Sequence, residues 1–251
     1  MNLGKHLGAI AAALAALAFA PIPASAQTTG EIPYIDAVDA WADGQSLRRT
    51  LPGSGAGAFK KPARPRHGKR PRTPTARQLA ALRFKRTKTV TQQNHQAVMQ
   101  RLEPGYDPAT VVAEFDRLTA LAHAGMRDWK GRWSPGNIAD VAAYMLLNGY
   151  GAFHARTSAP DKPILAVQSA ARRSMALSRQ IRGLSAARKQ TAADMLELRT
   201  ILRISDLNVA RQTGDAPREQ AARAALRTWI RDVFGVDLER VRLTRAGLVR
   251  R

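Results

Sequence analysis

The chain has 251 residues, with 40 Lys and Arg against 19 Asp and Glu, five His, no Cys and a formal net charge of +21. The absence of Cys excludes disulfide frameworks, thiolate zinc sites, thiol nucleophiles and a lipidated N-terminal cysteine. An apolar content of 45% supports a core in one or two domains, 6% aromatic content in an Ala-rich chain favours helices over an aromatic-rich β-sandwich, and the positive excess points towards nucleic acid, anionic membrane or another polyanion.

Residues 1–26 read as a signal peptide. Lys5 supplies the charged start, Leu7 to Ala20 is an almost unbroken apolar run, and Ala24-Ser25-Ala26 forms a small-x-small cleavage pattern before Gln27. The run falls short of the roughly 20 apolar residues that span a bilayer, and Pro21 and Pro23 follow it. No arginine pair precedes it, so general secretory export is the expected route and a periplasmic or secreted product the expected result. Export weakens a ribosomal, transcriptional or chromosomal reading of the charge. The mature chain from Gln27 has 225 residues and a formal charge of +20.

Residues 27–75 read as a disordered linker with a basic arm. The stretch 27–58 carries a net −2 and the apolar residues Ile32, Tyr34, Ile35, Val38 and Trp41. Those apolar residues suit a docking turn of helix, a partner-binding peptide or plain tether. Pro52-Gly53-Ser54-Gly55-Ala56-Gly57 interrupts regular structure. Lys60, Lys61, Arg64, Arg66, Lys69, Arg70 and Arg72 then follow among prolines with no acid between them, which predicts an extended, solvated, polyproline-like arm. Residues 60–88 together carry +12, and 91–251 carry +10 spread thinly. More than half of the excess therefore lies in one short segment.

Residues 76–251 read as a helical domain, an all-α bundle of about six helices. Val90 to Leu102 recurs at helical spacing until Pro104-Gly105. Asp107 caps a second helix, with Pro108 at its first position, ending near Gly125. Asn137 caps a third over 138–155, with Asp140 placed to complete a capping box; this helix is apolar over much of its circumference and is expected at the centre. The remaining helices run over about 164–182, ended by Gly183, over about 186–212 behind a Ser185 cap, and from Gly214-Asp215-Ala216-Pro217 to Gly235. No strand series of period two competes with these.

Two motifs then carry a resemblance. The segment Trp133-Ser134-Pro135-Gly136-Asn137-Ile138-Ala139-Asp140, followed by Val141 to Tyr144, resembles the central signature of a bacterial family of exported proteins known as a domain of unknown function, in which an Asn turn precedes Leu-Ala-Asp and a helix of Ala and aromatics. The chain end, Gly235-Val236-Asp237 through Leu243-Thr244 to Gly247-Leu248, is similar to that family's closing pattern. Ile138 stands where Leu is usual and Leu248 where an aromatic is usual. The resemblance covers most of residues 82–249 and implies a secreted helical domain; it supplies no activity.

Few residue patterns point to chemistry. His95, His123 and His154 fall on three predicted helices without metal-ligand spacing, and are expected at surfaces or caps. Neither a nucleophile elbow nor a phosphate-binding Gly loop occurs. Most carboxylates after residue 91 lie near Lys or Arg at helical spacing, as Glu114 does with Arg117, the pattern of a solvated ion-pair face. The sequence therefore names no catalytic, cofactor-binding or metal-ligating residue. Its best polar constellation is Asn137, Asp140, Tyr144 and Asn148, which drift along one side of a helix as a polar seam or serve as cap and packing residues. The expected function is a non-catalytic exported binding module whose seven arm cations contact anionic lipid, lipopolysaccharide or another polyanion while the domain meets an envelope or extracellular protein. Sequence-specific nucleic acid is not expected, because the 60–72 arm lacks an aromatic for base stacking. The alternative is a cell-envelope hydrolase or lyase with a site between helices.

Overall fold

The computed structural model of the protein describes residues 73–99, 108–129, 131, 133–156 and 160–251. The expected signal peptide, acidic segment, glycine linker, basic arm, Pro104-Gly105 break and Asp107 cap lie outside the described residues. The described chain forms α1 (Ala76–Ala80), α2 (Lys88–Met99), α3 (Pro108–Asp128), α4 (Ile138–Phe153), α5 (Asp161–Leu177), α6 (Arg179–Gly183), α7 (Ala186–Thr213) and α8 (Ala216–Phe234). A 3-10 turn, Leu238–Arg240, leads into β1 (Val241–Thr244) and β2 (Gly247–Arg250). Six of these helices are the six expected, and the described residues are all-α apart from one small hairpin.

Several boundaries follow from side chains competing for backbone groups. Asn137 caps α4 by accepting from the Ala139 amide at 3.0 Å, and Ser185 caps α7 through the Arg188 amide at 3.2 Å. Gly214 and Gly235, at φ 68° and 67°, close α7 and α8 in the left-handed conformation. The predicted 164–182 helix is divided at Ser178, which is extended and turns its hydroxyl to the Ile181 amide at 3.4 Å, starting α6 anew. Helix α3 runs three residues beyond Gly125 instead of ending near it. At Gly125 a Cβ would stand 2.2 Å from the Tyr144 hydroxyl, so the glycine makes room for another helix rather than ending its own.

Helix α4 is the centre of the bundle, with every one of its residues buried. It packs against α5, α7 and α8, while α7 also meets α2, α3 and α8. Before α4, the segment Leu82–Phe84 lies antiparallel to the turn that launches it: the Phe84 amide donates to Gly136 O at 2.8 Å and the Ile138 amide to Leu82 O at 3.3 Å. A Cβ on Gly136 would come within 2.8 Å of Phe84 O, so the close strand-like approach requires glycine there.

The hairpin is an addition to the expected fold. Its register pairs Val241 with Arg250 and Thr244 with Gly247, with Gly247 at φ 92°. Val241-Arg242-Leu243-Thr244 alternates apolar with polar residues, but Gly247-Leu248-Val249-Arg250 does not, so one strand of four residues makes no strand series. Tertiary contacts hold them: the Tyr150 hydroxyl accepts from the Leu243 amide at 3.1 Å, and Gly247 lies against Val167 of α5.

Candidate functional site

One face of α7 buries Gln190, Asp194 and Glu197, residues spaced by four and then three so that they lie above one another on the helix. Arg86, on the extended stretch before α2, joins them. Its Nη1 donates to Asp194, its Nη2 to both Glu197 oxygens at 2.9 and 3.0 Å, and its Nε to Pro135 O at 3.0 Å. His123 of α3 brings Nε2 to 3.1 and 3.2 Å from the same two Glu197 oxygens. Asn94 of α2 donates to Asp194 at 2.7 Å and accepts from Thr191 at 3.1 Å. One level towards the α7 N-terminus, Gln190 accepts from the Thr87 amide at 2.9 Å and donates to Thr87 O and Thr91 Oγ1, both at 3.0 Å. These contacts tie α2, α3 and the stretch before α2 to one face of α7.

The electrostatics of this cluster follow from its burial. Two carboxylates close together out of water repel, and one guanidinium serves both. Burial, reinforced by the Glu197 charge and opposed by Arg86, pushes the Asp194 carboxyl up to about 6. Glu197 is fully buried. A network of this kind is satisfied within the chain, and its chemical capacity is to fix the relative positions of its helices.

The residues singled out from sequence have separate surroundings. Asn137 is the α4 cap. Asp140, expected to answer the Asn137 amide, instead accepts from the Ser134 amide at 3.0 Å, from Gln168 at 3.2 Å and from both arms of Arg172 at 2.7 and 2.8 Å. A two-pronged guanidinium contact is a stronger partner for a buried carboxylate than a box contact to one amide. Asn148 turns back to donate to Tyr144 O at 2.8 Å. Tyr144 packs its ring against Trp129 at 4.6 Å and Trp133 at 6.4 Å, and burial pushes its phenol above the ordinary range. The Trp129 indole nitrogen is buried without an acceptor among the described residues.

Tyr144 and Asn148 do share a recess, with Leu118, Leu121, Ala122, Met145, Ile201 and Ile204. Its walls are almost wholly apolar, and its volume of about 20 Å³ is the room of about one water. Asn137 and Asp140 lie outside that lining. The seven arm cations lie outside the described residues.

Of the histidines expected at surfaces or caps, His154 takes the C-cap position of α4, while the other two lie elsewhere. His95 is buried, and burial, opposed by Asp116, holds its pKa below the ordinary value. His123 belongs to the α7 network. His154 is the residue after α4 and gives Nε2 a contact of 3.0 Å to Leu238 O. Among the described residues no group of three or more His, Cys, Asp or Glu could hold a metal ion, and no helix is long and apolar enough to cross a membrane.

The sequence does not mark Arg86, Asn94, Asp194 or Glu197 as site residues, and it marks His123 only as a surface or cap histidine. A signal was present, since Gln190, Asp194 and Glu197 lie on one helical face. Charged residues on a helix are ordinarily solvated, however, and burial of this face depends on α2 and α3 arriving over it. The expected Glu114–Arg117 pair does form, at 2.7 and 2.8 Å.

No curated protein and no solved structure matches the chain. A family model does so over residues 6–251, spanning both the Asn137 turn that launches α4 and the Leu243-Thr244 to Gly247 hairpin. The chain thus belongs to a family of unknown function, DUF6683.

Proposed function

We propose that the protein is an exported, non-catalytic binding module that acts in the cell envelope or outside the cell. A rigid helical domain meets an envelope or extracellular protein, while Lys60, Lys61, Arg64, Arg66, Lys69, Arg70 and Arg72 hold it at an anionic lipid, lipopolysaccharide or other polyanionic surface. The observation that carries this reading is the division of charge. The buried acids Asp140, Asp194 and Glu197 are each engaged by arginine within the domain, whereas +12 resides in residues 60–88. Among the described cations of that stretch, Arg86 is the one that enters the core network. The Leu7 to Ala20 run and Ala24-Ser25-Ala26 support export.

The test compares the chain from Gln27 with a variant in which all seven arm cations are Gln, using heparin and anionic vesicles at matched salt. The arm reading expects weaker, less salt-sensitive binding by the variant. Equal binding by the two proteins would remove it.

The alternative of a helical hydrolase or lyase draws on one observation, the contact of His123 with Glu197 beside an Asp194 pushed up to about 6. Its test is hydrolysis of envelope material by the intact protein against H123N. Turnover lost in H123N with the fold preserved supports this alternative, and absence of turnover in both proteins rejects it.

A further inference from the structure

The C-terminal end of α4 gathers cations. The last carbonyls of a helix carry a partial negative charge that attracts one or two, and Arg211 meets this need: its Nη1 donates to Ala152 O at 2.6 Å, and its Nε pairs with Glu219 at 2.8 Å. Two further arginines stand over rings at this place, and a third lies on the adjoining segment. Arg223 of α8 stands over the Phe153 ring at 4.4 Å and Arg156 over the Tyr150 ring at 5.8 Å. His154 lies between those rings, 4.5 Å from Tyr150 and 5.1 Å from Phe153. The Arg251 backbone N–H donates to Arg240 O at 2.9 Å, which sets Arg251 beside the turn whose Leu238 O meets His154.

All three arginines are exposed. Acids on the adjoining elements have other partners: Glu219 pairs with Arg211, and Asp237 and Glu239 with Arg227. Burial and the combined charges of Arg251, Arg156 and Arg223 hold the His154 ring below the ordinary pKa, against the Leu238 carbonyl. The backbone also holds a strained conformation here. Ala155, at φ 51°, is the one non-glycine residue in the left-handed region among the described residues. It turns the chain so that the Arg156 amide bonds back to Gly151 O at 2.8 Å, with the Arg156 side chain over Tyr150.

We propose that Arg156, Arg223 and Arg251, gathered round His154, form a binding site for a phosphate group, supplied by the headgroup of an anionic lipid. Guanidinium forks match phosphate oxygens in pairs. Three of them round one imidazole suit a single headgroup, not the repeating track along which a nucleic-acid strand is held. The aromatic rings beneath are buried and offer no face to stack bases. The choice of a lipid source rests on the arm reading above; the phosphate chemistry does not.

The experiment measures partitioning of the chain from Gln27 onto phosphatidylcholine vesicles with and without phosphatidylglycerol, at low salt. Removing one arginine near an anionic surface should weaken binding about fivefold, so R156Q/R223Q should weaken it about 25-fold. The same loss of charge at the exposed Arg179 and Arg188, as R179Q/R188Q, should change it about twofold at most, because Arg188 lies about 35 Å along α7 from Arg211, beyond the screening length. Thermal melting monitors the fold of each variant. Unchanged partitioning of R156Q/R223Q overturns the proposal, whatever the arm variant does. Loss in R156Q/R223Q with full binding by the arm-neutralised chain upholds the patch and removes the arm reading. Failure of the unaltered chain to prefer phosphatidylglycerol overturns the lipid source, as does R156Q/R223Q-sensitive binding confined to inorganic phosphate or duplex DNA.

Discussion

Ala155 shows at single-residue scale how tertiary structure overrides local preference. An L-residue in the left-handed region costs about 1–2 kcal/mol relative to its ordinary conformations, and glycine avoids most of that cost. Ala155 is exposed and sits where a helix commonly ends in glycine. Replacing it as A155G is expected to stabilise the protein by about 1 kcal/mol, after the entropy of a freer unfolded chain is deducted. For a domain of this size, that corresponds to a rise in Tm of about 2–4 °C, measurable by calorimetry or circular dichroism. A lower Tm would mean that the Ala155 methyl contributes packing that outweighs its backbone strain. Nothing in the local sequence marks this position, because φ at 155 depends on where the chain must travel after α4.

At the scale of elements, α4 and α7 differ in how much of their role could be read. Helix α4 is apolar around most of its circumference, and its complete burial follows from that composition together with the Asn137 cap. The polar face of α7 required its neighbours. Glu197 is held by Arg86 and His123 from separate elements, and a charge loses much of its solvation in that position. E197Q should therefore destabilise the fold by about 3 kcal/mol, the scale of breaking a buried pair from one side, seen as a lower denaturation midpoint at unchanged m-value. A loss within about 0.5 kcal/mol would mean that water reaches the cluster and screens it. Asp140 repeats the lesson: its spacing from Asn137 fits a capping box, yet Arg172 and Gln168 arrive on α5 and take its carboxylate.

Across the whole molecule, the pH dependence of stability has contributions of opposite sign. His95 and His154 titrate lower in the folded protein than the ordinary 6.5, so the unfolded chain takes up those protons first and stability falls as pH drops below about 6.5. Asp194 titrates near 6 against an ordinary 3.8, so the folded protein takes up that proton first and stability rises as pH falls from about 6 towards 3.8. Removing the second contribution should expose the first. D194N is thus expected to lose stability more steeply than the unaltered protein as pH falls through 6, measured by denaturant titration at a series of pH values. Parallel slopes for the two proteins would show that Asp194 titrates alike folded and unfolded.

The +21 of the full chain divides unevenly between residues 60–88 and the rest, a division visible without any structure because charge is a property of composition along the chain. Most of the long helix runs, the Asn137, Ser185 and Gly235 boundaries and the central place of α4 are equally legible, since periodicity and capping act over a few neighbouring residues. Tertiary structure alone decided which polar residues are buried, where Asp140 finds its partner, how the last residues pair into a hairpin, and that Arg156, Arg223 and Arg251 meet at His154. Those outcomes join residues far apart along the chain, and their energies arise from desolvation and charge pairing, which exist only once separate elements have closed over one another.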